Sequence, residues 1–423
     1  MTKIYLLALL LTVSIAGYTC SIFSYSDDTI SYAAANEDGD NPFTYLWVLP
    51  AEKDKYAAVY LGYPDMQGQV GMNEHGLFYD FAWIPPFETN TAGKNNCLSV
   101  EQMLRKYRDV NEVLKAVKDG DVNITVSQML IADASGNSAI INGSGVVHKK
   151  GNYLISTNFN ICTKDQGYEC SRYDKIDEML RNPNAEMGVP YFQNILDRVH
   201  QEGQIATMYS TIFDLKNKKL HLNYFHDYDK TVVIDLAKEF KTHQAYVKRV
   251  NSYFSDFLFA EKIARITNNE RFREELLSAF MNEGFKAGIQ HYIELSDKYD
   301  SKSDELLSAL KAIPFNLVKM ARVKHDNTSM MFYYRKDSHY CNTVWSSDDE
   351  WIDIAIQVTE YIDANNLADE DFYYLEDKAY ALMANGDYVK SINTFEMALT
   401  HVDKNDQWGK ERVNNMMKSM RNL

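Results

Sequence analysis

What this chain lacks narrows it first. Of its 423 residues only five are cysteine: Cys20, Cys97, Cys162, Cys170 and Cys341. No Cys-x-x-Cys or His-Glu-x-x-His spacing occurs, so no structural metal is expected and no cofactor is implied. Basic side chains are in deficit, 44 Lys and Arg against 59 Asp and Glu, for a formal net charge of -15. That balance argues against nucleic acid or an anionic membrane surface as partner. No stretch approaches the ~20 apolar residues that a membrane-spanning helix needs. The apolar run Ile4 to Ile15 follows Lys3 and ends in Ala16 and Gly17, the pattern of an export signal over residues 1–19. The mature chain is therefore expected to be exported, periplasmic or extracellular, with no transmembrane span.

Export into an oxidising compartment makes the cysteines informative. An odd count leaves one unpaired unless a partner chain takes it. Cys162 and Cys170 bracket the loop CTKDQGYEC and are candidates for a local disulfide. Cys20 stands where the signal ends, and three readings are open: a lipid anchor, half of a disulfide, or a nucleophile that cleavage turns into the first residue. Lipid attachment wants Leu or a similar residue three before the cysteine and small residues next to it. Here those positions are Gly17, Tyr18 and Thr19, and the bulky Tyr18 fits badly. The nucleophile reading has a chemical rationale. A free thiol, pKa ~8.5, is mostly protonated at neutral pH. A terminal residue carries its own base, an α-amine of pKa ~7.7–8.0 within reach of the side chain. The condition is strict: Thr19–Cys20 must be cut and the sulfur left unmodified.

Length alone suggests two domains. From about 20 to 238 the text is strand-rich, with short β-branched or aromatic runs such as TISYAAAN, KYAAVYLGY, GLFYDFAWI, TMYSTIFDL and KLHLNYF. Helical patterns interrupt them: SVEQMLRKYRDVNEVLKAVK, opened by a Ser99/Gln102 capping box, then SRYDKIDEMLRN and YFQNILDRVHQ. The order suggests an α+β fold, either two packed sheets with helices outside or a more generic arrangement. Across 239–423 apolar residues recur three and four apart, as in FLFAEKIARI and DELLSALKAI, so this part is all-α. Near 372–402, Ala379, Tyr388, Phe395 and Ala398 fall where a tetratricopeptide-type hairpin wants its packing residues. A helical domain of other topology is the competing reading.

Cys20 followed by Ser-Ile-Phe, then Asn36-Glu37-Asp38 in AANEDGD, resembles the start of the N-terminal-nucleophile hydrolases of the choloylglycine hydrolase, acid ceramidase and penicillin acyltransferase group. GMNEHGLFYDF, IADASGNSAII, STNFN, CSRYDKI and MYSTIFDLKNKKLHL are similar to later pieces of that family, in the family's order. The resemblance covers about residues 20 to 230 and implies a four-layer αββα sandwich that cleaves linear amides. It implies that Cys20 attacks, Asp38 holds its α-ammonium, Asn158 lines the oxyanion hole, and Arg172 lowers the thiol pKa or orients Asp38. Two positions depart from the pattern. Ala35 stands where many relatives carry arginine, and Trp83 where the bile-salt enzymes place asparagine. The aromatic stretch Phe78 to Trp83 makes Phe81 and Trp83 substrate-pocket candidates, although alternating aromatics are also ordinary sheet core. Asn36 joins them as a substrate-binding candidate, and His75 occupies a variable turn. The expected activity is hydrolysis of a small-molecule N-acyl amide through a thioester on Cys20. An acyltransferase is the close variant, and a lipidated scaffold protein the alternative from another class. The helical part is a candidate surface for a protein partner or self-association.

Overall fold

The computed structural model describes residues 20–84, 100–254, 268–325 and 344–423, apart from 65, 123, 125–126, 164–169, 184, 204, 369–370 and 405. Residues 1–19, Ser99, Cys97, Cys341 and the FLFAEKIARI segment lie outside the described residues.

Two antiparallel sheets form the centre. The first runs in the order β10 (Tyr153–Ser156), β1 (Ser21–Ser26), β2 (Ser31–Gly39), β11 (Ala206–Asp214), β12 (Lys219–Tyr224), β13 (Val232–Asp235). The second begins with β14 (Tyr246–Arg249), β3 (Tyr45–Leu49), β4 (Ala58–Gly62) and β5 (Gly68–Asn73). It continues through β6 (Phe78–Ala82), β7 (Gln128–Ala132), β8 (Ser138–Asn142) and β9 (Gly145–His148). Side chains alternate between faces, as the strand period requires. Ile22, Ala33, Ala35, Val48, Val59, Val70, Phe78 and Phe213 fill the space between the sheets. Phe23 and Ala34 turn outward against Ile176, Phe192, Ile195 and Leu196 of helices α3 (Ser171–Arg181) and α4 (Val189–Val199). Trp47, Tyr60, Tyr79 and Met129 turn outward from the second sheet against α1 (Val100–Lys106) and α2 (Val110–Asp119). The layers run helix, sheet, sheet, helix.

Four strands escaped the sequence reading, and the reasons are physical. β3 is buried on both faces, so Tyr45 to Leu49 show no polar alternation. β5 is poor in strand formers, yet its glycines admit close neighbours: a Cβ on Gly68 would lie 2.5 Å from the Tyr79 hydroxyl, and one on Gly71 2.8 Å from the Val59 carbonyl. β13 and β14 are four-residue edges.

The Asn-Glu-His-Gly-Leu stretch is a structural turn. Asn73 Oδ1 accepts from the backbone N–H of His75 and Leu77, each at 3.0 Å, and Gly76 supplies the left-handed residue at φ 82°. Asn73 Nδ2 reaches across to the carbonyls of Leu104 and Tyr107, both at 2.8 Å, tying the turn to α1.

The longer helices that follow are α5 (Asn268–Lys298), interrupted at Gly284 with φ 82°, α6 (Ser303–Lys324), α7 (Glu350–Ala364), α8 (Phe372–Ala384), α9 (Tyr388–His401) and α10 (Gln407–Arg421). Phe272, Leu276, Leu310 and Leu317 of α5 and α6 share one core with Trp47 and Tyr60, so these helices extend the outer layer over the second sheet. Ala379, Phe395 and Ala398 are buried between α8, α9 and α10. The acidic run before Trp351 is a helix start, with Asp349 accepting from the Trp351 N–H at 2.9 Å. No described helix is long and apolar enough to cross a membrane.

Candidate active site

Cys20 is the residue before β1, and strand pairing decides what surrounds it. Ser21 lies opposite Asn36 of β2 and Ile22 opposite Ser156 of β10. Cys20 is therefore brought beside Glu37 on one side and the Thr157-Asn158 continuation of β10 on the other. Cys20 is 5% exposed and belongs to the core between the sheets, and its sulfur donates to Glu37 Oε2 at 3.2 Å.

A polar bracket holds the cysteine's backbone. Arg172, in the first turn of α3, donates through Nη1 to the Cys20 carbonyl at 3.1 Å and to Ser21 Oγ at 2.7 Å. Its Nη2 donates to Asn158 Oδ1 at 2.9 Å, and Asp38 Oδ2 lies 3.7 Å from Nη1. Asp38 is wholly buried and also accepts from Gln201 and from Thr207 Oγ1, the latter at 2.6 Å. One N–H of the Asn158 amide is committed to the Trp83 carbonyl at 2.7 Å. The structure thus brings Cys20, Asp38, Asn158 and Arg172 together, with Trp83 adjoining through its backbone.

Other expectations need correction. Asn36 shares the helix-facing side of β2. Its Nδ2 donates to the Leu196 carbonyl of α4 at 2.9 Å, and its Oδ1 accepts from Ser210 at 2.7 Å and Tyr228 at 3.1 Å. It is a structural clamp on the far side of the strand from the thiol. Phe81 points outward from β6 into the core beneath the helices, again away from Cys20. Cys162 and Cys170 are both free thiols. Arg172 touches the Cys20 carbonyl rather than the sulfur, and the thiol pKa is raised, not lowered. Burial is the main cause, followed by the carboxyls of Glu37, Asp38 and Asp80, while a hydrogen bond from the Asp38 backbone N–H pulls the other way. His75 packs edge-on against Tyr56 in the turn and plays no part here.

Two acids went unremarked in the sequence. Glu37 and Asp80 are wholly buried on β2 and β6, facing each other across the gap between the sheets. Burial pushes Glu37 up to about 7, and burial together with Glu37 pushes Asp80 well above the carboxylate range. A signal did exist: Asp80 interrupts the apolar strand FYDFA, and Glu37 lies in the buried run that begins with Ala33 to Ala35.

Among the described residues, the grouping that could ligate a metal is His200, Glu202 and His226, whose ligand atoms lie within 4.8 Å of one another. The two imidazoles stack at 4.8 Å between centroids, and the cluster sits at the surface rather than at the thiol.

Two stacked antiparallel sheets, helices on both outer faces and a cysteine heading a central strand form the arrangement that the resemblance to N-terminal-nucleophile hydrolases implied. No family model matches the chain, and no curated protein matches it. Among solved structures it is similar to two variants of conjugated bile acid hydrolase from Clostridium perfringens. Each is 16% identical over 55% of this chain, covering 97% and 96% of theirs, with TM-scores of 0.43 and 0.42. It is also similar to penicillin V acylase from Agrobacterium tumefaciens, 18% identical over 54% of this chain and 90% of that one, TM-score 0.39.

Proposed function

We propose that this chain, once residues 1–19 are removed on export, is an N-terminal-cysteine hydrolase of small-molecule N-acyl amides. The observation that carries the reading is one buried cysteine whose carbonyl is held by Arg172, the same guanidinium that binds Asn158 and faces Asp38. The Cys20 sulfur attacks the amide carbonyl and its α-amine manages the proton; the amine product leaves, and water clears the thioester. Asp38 is suited to hold the α-ammonium, because its buried carboxylate lies beside the Arg172 guanidinium that grips the Cys20 carbonyl, and its backbone N–H reaches the Cys20 sulfur. Arg172 fixes the Cys20 carbonyl and Asn158, which sets the angle at which the sulfur meets substrate. Asn158 steadies the tetrahedral oxyanion with its amide N–H.

The burial of the sulfur speaks against the lipidated scaffold. A thioether carrying acyl chains needs an open path to the bilayer, whereas this sulfur points between two sheets at a carboxyl. Acyl transfer to an amine remains the variant of the same thioester chemistry. The test is a panel of N-acyl amino acids, N-acyl ethanolamines, bile-salt conjugates and penicillin V offered to protein beginning at Cys20. Mass spectrometry of the N-terminal peptide should trap an acyl adduct with at least one of them, and an added amino-acid acceptor separates transfer from hydrolysis. Cys20→Ser should fold normally and lose at least about a hundredfold in rate. Retention of full activity by that variant would sink the reading.

A further inference from the structure

The thiol stands beside two buried carboxyls that no ion pair neutralises. Glu37 Oε1 and both oxygens of Asp80 lack a well-formed hydrogen bond in a region sealed from water, with only each other and the Phe81 backbone N–H close by. An acceptor left bare in such a place is costly, and two ionised carboxylates side by side cost far more. A single proton held between them removes both penalties, since a protonated carboxyl is itself a donor. We infer that Glu37 and Asp80 form a one-proton acid pair in which Glu37 accepts the Cys20 thiol proton during acylation. This rests on the proposed amide hydrolysis for its place in the cycle, and on the Cys20–Glu37 contact for its existence.

The chemistry balances. As the sulfur–carbon bond forms, the S–H proton passes along the 3.2 Å contact to Glu37 Oε2. The carbon–nitrogen bond breaks as the α-ammonium of Cys20 protonates the leaving amine. Water then attacks the thioester and gives its proton to the α-amine; the carbon–sulfur bond breaks, and Glu37 returns its proton to the sulfur. Both proton carriers end as they began.

Charge explains why the amine alone is a poor base for this thiol. The titratable groups around Glu37 are Cys20, Asp38 on its own strand, Asp80 and Tyr79 from β6, and Tyr209 from β11. None of these side chains is a cation, and the two cations nearby are committed elsewhere, Arg172 to the Cys20 carbonyl and Asp38, and the α-ammonium to the leaving amine, so a thiolate formed by losing its proton to the outside adds negative charge to an acidic pocket. Moving the proton only as far as Glu37 leaves the net charge of the pocket unchanged. Asp80 keeps its own proton and points it at Glu37, which steadies the ionised form that receives the thiol.

The sign of one substitution separates this role from a bystander's. The rate of Cys20 alkylation by iodoacetamide is measured against pH on protein beginning at Cys20, for wild type, Glu37→Gln and Asp80→Asn. In wild type the rate should climb through an inflection near pH 7, where Glu37 ionises. Glu37→Gln should lose that inflection and react about tenfold more slowly at pH 7.5. Were Glu37 only a nearby charge, its removal would lower the thiol pKa and speed alkylation. A faster or unchanged rate in Glu37→Gln therefore overturns the inference. Asp80→Asn should keep the inflection and move it above pH 7, because an amide N–H steadies ionised Glu37 less well than the carboxyl proton of Asp80 does; an unmoved or lowered inflection also overturns it. Alkylation needs no substrate, so a failure of every amide in the panel would count against hydrolysis and leave this result standing.

Discussion

Buried acids are treated in opposite ways in the two halves of this molecule. In the helical part Glu376 of α8 receives Nε of Arg412 at 2.6 Å on one oxygen and Nη2 on the other. Where α5 meets the second sheet, Glu274 takes Nη2 of Arg249 at 3.1 Å and the Tyr45 hydroxyl. Between the sheets, Glu37 and Asp80 have no guanidinium, only each other, a thiol and the Phe81 backbone N–H. A guanidinium neutralises a buried carboxylate at every ordinary pH, so the first two acids hold elements together. A shared proton neutralises only while it stays, so in the third set Glu37, at about 7, titrates near neutrality beside a nucleophile.

The largest expected effect tests the structural side of that contrast. Arg412→Met strands the Glu376 carboxylate in the core and should cost about 3–5 kcal/mol in urea denaturation. A loss below about 1 kcal/mol would erase the distinction between the two kinds of acid.

Next comes the pH dependence of stability. Folded Glu37 holds its proton up to about 7, against 4.5 for the ordinary side chain, so between those values the folded state binds more protons than the unfolded one. Stability therefore falls as pH rises across that window and stays low above it. Glu37→Gln lacks this drain. It should be more stable than wild type at pH 8 by on the order of 2 kcal/mol, with the advantage gone by about pH 4.5. A difference in melting temperature that ignores pH would break the comparison.

Two smaller effects concern side chains that share strands with the site but face away from it. Asn36→Ala should cost about 1.5 kcal/mol through its lost bonds to Leu196, Ser210 and Tyr228, and leave KM within about twofold. Phe81→Leu should cost about 1 kcal/mol and leave acyl-chain preference unaltered. A shifted preference would return Phe81 to the pocket.

Much of the fold was legible. Strands β2, β4, β6, β11 and β12 and helices α3 and α4 lie where apolar periodicity put them, because half-buried elements write their period into the text. β3 and β5 were not legible, since a strand buried on both faces or built on glycine leaves no alternation. At the site, Asp38, Asn158 and Arg172 were found through a motif order, and they do meet at Cys20. Glu37 sits between two named motif residues, Asn36 and Asp38, yet drew no attention.

The amino-acid order alone determined the turns at Asn73, the alternation of each strand, and the position of a cysteine at the end of an apolar run. All three are local, set by a residue and its near neighbours. Which face of a strand looks inward is a different matter, because a period of two pairs Asn36 with Asp38 and Asp80 with Ala82 without saying which pair meets the other sheet. Only packing decided that Glu37 and Asp80, remote in the chain, share the gap with the sulfur, while Asn36 and Phe81 turn their backs on it.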